Sequence, residues 1–333
     1  MNFCTYFDSY YLHKGIALYV SLERVTEDFQ LYVMAFDREC YDKLKSLHFK
    51  HMTVELIDDL ERQVPELQKV KPTRSRGEYC WTCGPTVIQH FMEAYSLSGI
   101  TYLDSDLMFL SDPHVVEQEI GGKSIAITEQ GIPDSQSAVY GKYCVQYVFF
   151  RNDAEGKEAL CWWRDACLEW CYARVEDGKF GDQKYLDEFP RRWDGVHVIK
   201  NFGVGIAPWN IRKYSYPSDT TLSYEGSTYR FVFFHMHGTR ITIADNTLHL
   251  QCQHFHVTPA PMRLFYEPYA ELLRQVCNTY LNQDIQSAKV YNISCFERFS
   301  HFVKDSIRFS TFVQWLYYDV LKKRYSGHGS KVS

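Results

Sequence analysis

Residues 1–37, "MNFCTYFDSYYLHKGIALYVSLERVTEDFQLYVMAFD", change their apolar period twice. MNFCTYF reads as a short buried strand. HKGIALYVSLERV then spaces Ile16, Leu18, Tyr19 and Leu22 roughly along one helical face, and FQLYVMAF returns to a strand ending at Asp37. The alternation continues with a helix in CYDKLKSL and a third strand in HMTVELI. TVIQHFMEAYSL sets Val87, Ile88, Phe91 and Tyr95 on one helical face, with Gly99 where a C-cap belongs. ITYLDSD is a fourth strand. Strand and helix in alternation predict an α/β fold, a mostly parallel sheet with helices on both faces. Ligands of such sheets bind beyond the carboxyl ends of the strands, and Asp8, Asp37, Asp104 and Asp106 all fall at or near such ends.

The second half is more mixed. KSIAIT and CVQYVFF read as strands, and ALCWWRDACLEWCYARV as an amphipathic helix with Leu160, Trp163, Cys167 and Cys171 on one side. VHVIKNFGVGIAPWN runs from a strand into a Gly/Pro loop. YRFVFFHMHG is a strand ending in His235, His237 and Gly238, and the chain from about residue 260 onward reads as mainly helical. No internal repeat or long linker divides it, so one compact domain with a C-terminal helical extension is expected.

The 333 residues are ample for a large core, and a net charge of −5 gives no reason to expect nucleic-acid binding. The lone C-x-x-C of Cys80 and Cys83 lacks the second ligand pair that a zinc site needs. MNFCTYFDSYY has no basic region followed by an apolar run, and no stretch is long and apolar enough to span a bilayer, so free thiols in a reducing cytoplasm are expected. There is no Walker A loop, no G-x-G-x-x-G and no G-x-S-x-G elbow, which argues against P-loop, dinucleotide and hydrolase chemistries.

Several constellations remain. Asp104 and Asp106 flank Ser105, and residues two apart at a strand end point the same way, so both carboxylates can face one hard divalent cation. The same D-x-D also suits an Asx-turn. His235 or His237 can complete a manganese site, or simply lie at the surface. Asp182 and Gln183, in GDQKYLDEFP, either cap a short helix or offer oxygens to sugar hydroxyls. Lys71, Arg74 and Arg76 precede a helix, as a diphosphate site or as a solvated basic loop.

FCTYFDSYYLHKGIALYVSL, YLDSDLMFLSDP, GDQKYLDEFP, IAPWN and FFHMHG, in this order, resemble the GT-A glycosyltransferases over roughly residues 1–245. The likeness is greatest to the glycogenin and bacterial lipooligosaccharide galactosyltransferase family, glycosyltransferase family 8. The resemblance implies a Rossmann-like GT-A catalytic domain over residues 1–258 with a helical extension over 259–333. It implies Mn2+ (or Mg2+) on Asp104, Asp106 and His235, with Gly238 as the glycine of the H-x-x-G motif. Asp182 would hold donor-sugar hydroxyls and Gln183 would lie near the anomeric carbon. The donor nucleotide would meet Thr5, Tyr6, Asp8, Tyr11 (or Tyr10) and Ser105, with Trp209 and Asn210 lining the cleft. The family's N-x-G is here Cys144-Val145-Gln146, and its phosphate-binding lysine is absent in register, leaving Arg74, Arg76 or Arg240 for that role.

The implied reaction moves a sugar from a nucleoside-diphosphate donor, a UDP-sugar, to a glycan or lipid-linked acceptor with retention of configuration, in surface polysaccharide synthesis. A nucleotidyltransferase, which would carry a Gly-rich basic loop after its first strand, and a nucleotide-sugar-binding module without catalysis are the alternatives. CFERFSHFVKDSIRFSTFVQWLYYDVLKKRY, ending in Lys322, Lys323 and Arg324, would lie on the inner face of the plasma membrane or pack on its own domain or a second subunit.

Overall fold

The computed structural model describes residues 1–292. In chain order its principal elements begin with β1 (Asn2–Phe7), α1 (Leu12–Glu23), β2 (Gln30–Ala35), α2 (Arg38–Leu47) and β3 (Met52–Leu56). They continue through α3 (Arg76–Ala94), β4 (Gly99–Leu103), β5 (Leu107–Phe109), β6 (Ile125–Glu129), β7 (Tyr143–Arg151), α4 (Ala154–Glu169) and β8 (Val196–Val198). Seven strands form one sheet in the order β3-β2-β1-β4-β7-β6-β8. β7 runs antiparallel to β4 and β6, and every other pairing is parallel. The expected mixed, mostly parallel sheet flanked by helices is therefore present.

Period-two alternation splits the strands between two cores. Phe3 and Phe7 of β1, with Leu31, Val33 and Ala35 of β2, pack with α1 and the helix Glu267–Tyr280 through Ile16, Tyr19, Leu272 and Leu273. Cys4 and Tyr6, with Tyr32 and Met34, face α3 and α4 through Val87, Phe91, Leu160 and Trp163. Burial on both faces explains why these strands read as nearly continuous apolar runs.

A smaller antiparallel sheet comprises β9 (Ser215–Ser218), β10 (Thr221–Tyr224) and β11 (Ser227–Arg230). β12 (Phe233–His235) pairs antiparallel with β5, setting His235 opposite Leu107. β13 (Thr239–Ala244) and β14 (Thr247–Cys252) form a hairpin, followed by α5 (Glu267–Tyr280) and β15 (Ser287–Tyr291).

Four local readings are corrected. Gly99 is no helix cap: α3 ends at Ala94, Ser96 takes the left-handed conformation (φ 50°), and Gly99 opens β4. α4 stops at Glu169, so Cys171 lies beyond it, although it is buried in the same core. The single strand expected over 229–238 breaks at Phe231 and Val232, because β11 pairs in the small sheet and β12 pairs with β5. The helical reading beyond residue 260 fits α5, but β15 then pairs parallel with β14 and ties residues 287–291 to the preceding hairpin. The aromatic segment with Lys322, Lys323 and Arg324 lies outside the described residues. Among the described residues, no helix is long and apolar enough to cross a membrane.

Candidate metal and donor site

Asp104 and Asp106 follow directly from β4, at its carboxyl end. Three backbone contacts fix their surroundings. The Asp104 N–H donates to the Gln146 carbonyl of β7 (3.1 Å), the Met236 N–H to the Asp106 carbonyl (2.9 Å), and the His235 N–H to the Ile206 carbonyl (2.8 Å). The pairing of β5 with β12 thus carries His235, remote in sequence, to the D-x-D segment. Its Nε2 stands 3.0 Å from Asp106 Oδ1 and 3.6 Å from Asp104 Oδ2. One ligand atom from each of Asp104, Asp106 and His235 lies within 4.8 Å of the other two. Two carboxylates and an imidazole suit Mn2+, with other positions open to phosphate oxygens.

The charges around this point are strongly coupled. Burial alone would raise the Asp106 carboxyl, but His235 and Lys14 hold it well below the usual carboxylate range. Burial likewise opposes charge on His235, yet Asp106 and Asp104 outweigh it and push the imidazole up to about 10. Burial, with the charge of Asp106 added, raises the Asp104 carboxyl despite His235 and a 2.8 Å hydrogen bond from the Tyr102 hydroxyl. Lys14 is itself buried in α1. Its Nζ donates to the Thr239 carbonyl (3.2 Å), lies 3.7 Å from Asp106 Oδ2, and stands 4.6 Å from the centre of the Tyr11 ring. The sequence reading missed it. The available signal was a lysine directly before the apolar run Gly15–Val20 of a helix.

Asp182 is buried nearby at the start of a short helical turn, and its side chain makes no capping bond, contrary to one of its two readings. Burial and then the charge of Asp104 push its carboxyl up to about 7. Gln183 is turned instead to the Tyr140 carbonyl, 3.1 Å away.

On the other flank, Asp8 caps the turn after β1 by accepting from the Tyr10 and Tyr11 N–H groups (3.0 and 3.3 Å), and it pairs with Arg76. Asp8 and Arg76 share a cleft of about 220 Å³ with Phe36, Ile57, Tyr79 and Cys80. Tyr6 stacks on Tyr102, ring centres 5.2 Å apart, while Thr5 is fully buried with an unpartnered hydroxyl. Tyr11 is partly exposed and Ser105 is buried between the two aspartates.

Three expected donor contacts make other bonds or are exposed, although Arg74 also lines the cleft of Asp8 and Arg76. Arg74 reaches the Leu168 and Glu169 carbonyls at the end of α4 (3.3 and 3.4 Å), with its guanidinium over Tyr172. A cation at a helix C-terminus satisfies carbonyls the helix leaves free, so its visible work is structural. Asn210 is held by backbone groups, accepting from the Ala207 N–H (2.9 Å) and donating to the Gly205 carbonyl of its own loop and the Gln130 carbonyl after β6. Arg240 is exposed on β13, two residues past Gly238, whose φ of 66° and closeness to His254 leave no room for a side chain. Trp209, held by a bond from Nε1 to the Gln130 carbonyl (2.8 Å), sets its ring 5.4 Å from those of both His235 and His237.

No protein-family model matches the chain. Two Bacillus subtilis (strain 168) proteins are similar in sequence, and both bear only the description of uncharacterized proteins. YfnD is 29% identical over 276 residues, covering 80% of this chain and 87% of its own. YfnF is 28% identical over 286 residues, covering 82% and 92%. Among solved structures, an active-site mutant of LgtC superposes with a TM-score of 0.50 at 12% identity, over 82% of this chain and 95% of that one. The galactosyltransferase LgtC with donor and acceptor sugar analogues gives 0.44, at 12% identity over 62% and 76%. Mouse xyloside xylosyltransferase 1 gives 0.45, at 12% identity over 71% and 98%. The fold of this chain is that of the GT-A glycosyltransferases.

Proposed function

We propose that this protein is a metal-dependent glycosyltransferase that takes a sugar from a nucleoside-diphosphate donor, a UDP-sugar, and passes it to a glycan or lipid-linked acceptor in surface polysaccharide synthesis. The observation carrying this reading is the convergence of Asp104, Asp106 and His235 within 4.8 Å at the carboxyl end of β4, on a GT-A fold. A divalent cation held by these residues would stabilise the negative charge that develops on the departing diphosphate. Lys14, which reaches Asp106 directly, adds positive charge on the same side. The buried carboxyl of Asp182 is assigned to hydroxyls of the donor sugar, and the Asp8–Arg76 cleft to the base. The reaction is assigned retention by front-side attack, which requires no covalent nucleophile from the protein.

The test is a panel of nucleotide sugars with Mn2+, scored by release of nucleoside diphosphate and repeated after chelation. Release from one donor class, lost on chelation and restored by Mn2+, is expected. No release from any donor, or release untouched by chelation, would overturn the reading. Pyrophosphate release from a nucleoside triphosphate and a sugar phosphate would point instead to a nucleotidyltransferase.

Lys14→Met gives a narrower check. Loss of one charge-assisted hydrogen bond should weaken nucleoside-diphosphate binding about tenfold or more in the presence of Mn2+, by calorimetry. The unphosphorylated nucleoside should bind both forms alike. Equal weakening of both would assign Lys14 to packing only.

A further inference from the structure

We infer that Gln146 is a positioning residue of the metal site, holding two of its three ligands, Asp104 and His235, in place and fixing the tautomer of His235. The inference rests on the metal reading of Asp104, Asp106 and His235.

Gln146 is fully buried on β7. Its backbone carbonyl accepts from the Asp104 N–H (3.1 Å) and its side-chain Oε1 lies 2.8 Å from His235 Nδ1. One residue therefore joins a ligand on the segment after β4 to a ligand on β12. These two segments also meet through the pairing of β5 with β12 and the bond from the Met236 N–H to the Asp106 carbonyl. The register of β7 explains how it does so. Ile127 of β6 faces Val148, but the next residue, Thr128, faces Cys144, so Val145, Gln146 and Tyr147 form an irregularity against β6. Across it the alternation slips: Tyr143 and Val145 belong to the same core as Val148 and Phe150. Such irregularities re-aim side chains, and here Gln146 is the one of these three aimed at the histidine, which the Cys144 thiol also meets.

The direction of the hydrogen bond matters. His235 Nε2 faces both carboxylates, so it is the nitrogen that would bind a cation and must then carry a lone pair. The ring proton must sit on Nδ1, which needs an acceptor, and an amide carbonyl oxygen can do nothing but accept. The opposite amide orientation would set an N–H against Nδ1 and favour the tautomer that cannot ligate. The chosen orientation has a cost, since Gln146 Nε2 is buried without a partner. It also needs space: Gly205, at a φ of 83°, leaves the amide room where a Cβ would come within 2.8 Å of Nε2. An apolar residue would avoid the orphaned amide, so the Oε1 contact to His235 accounts for the glutamine. Cys144-Val145-Gln146, a departure from N-x-G, thereby reads as a wiring of β7 to the metal histidine rather than as loss of a site.

The experiment measures Mn2+ binding to the full chain by electron paramagnetic resonance, from the loss of the free-ion signal. Gln146→Met and Gln146→Asn should each bind Mn2+ about 10- to 100-fold more weakly than the unaltered protein. Gln146→Glu, which keeps an acceptor at Nδ1, should bind at least as tightly. Should Gln146→Met not fold, Gln146→Asn, which keeps an amide one methylene short of Nδ1, carries the comparison. Undiminished binding by the asparagine variant would overturn the inference, as would a glutamate variant no better than asparagine, since packing alone would then explain the residue. An unaltered protein that leaves the free-ion signal intact would overturn the metal reading, and the inference with it.

Discussion

Asp106→Ala should eliminate Mn2+-dependent nucleotide release, with a fall of about 10³-fold, and should also destabilise the protein. The two effects share one cause. Asp106 Oδ1 meets His235 Nε2 at 3.0 Å and Oδ2 faces Lys14 Nζ at 3.7 Å, all in a buried setting. Removing the carboxylate takes away a proposed metal ligand and leaves Lys14 and His235 facing an empty position. Breaking a buried pair from one side typically costs about 3–5 kcal/mol. The imidazole would then shed its proton far more readily, since Asp106 foremost among its neighbours raises it to about 10. Manganese titration and chemical unfolding measure the two losses separately. Asp106→Ala that retains Mn2+-dependent turnover would remove Asp106 from the metal site, whatever its stability. A variant as stable as the parent would show that Lys14 and His235 do not depend on it for charge.

How much of this was legible beforehand depends on the range of the interactions. The strands β1, β2 and β4 announce themselves because burial on both faces leaves unbroken apolar runs, and the helices between them by their spacing. The position of Asp104 and Asp106 follows from the rule that parallel sheets bind ligands at strand ends. His235 is different. Nothing local marks it as a ligand; a nonlocal pairing of β12 with β5 brings it there, and only the order of motifs pointed to it. The same limit explains the misread elements. The break at Phe231 and Val232 arises because neighbouring segments find partners in different sheets, and β15 exists because β14 offers an edge. Arg74 shows how one side chain can serve two places, since it lines the cleft of Asp8 and Arg76 and also reaches α4. A basic loop before a helix resembles an anion site, yet the fold brings the end of α4 close enough to claim its guanidinium. Gln146 could be seen as a departure from a pattern, but its role depends on a slipped register that no single strand encodes.

Asp182→Asn is expected to move stability and activity in opposite directions. Burial first, and the charge of Asp104 second, raise the Asp182 carboxyl to about 7 from an ordinary value of 3.8. The sign follows from linkage. The unfolded chain releases this proton near the ordinary value, whereas the native chain holds it to about 7, so native stability falls as pH rises between these limits. The loss is complete above the native value and amounts to something on the order of 4 kcal/mol at most. Asparagine cannot ionise, so the variant should match the parent near pH 4 and exceed it in stability at pH 8, as read from urea unfolding at both. Activity should fall about 100-fold, because an amide replaces the carboxylate assigned to the donor hydroxyls. A site that is strained for function gains stability when its charge is removed, as expected where selection holds a buried carboxylate beside another. Divalent cation should shrink the stability difference, since neutralising Asp104 removes one of the two causes of the shift. Equal activity in the variant would detach Asp182 from the donor. A stability difference independent of pH would instead show that its carboxyl ionises as readily in the native chain as in the unfolded one.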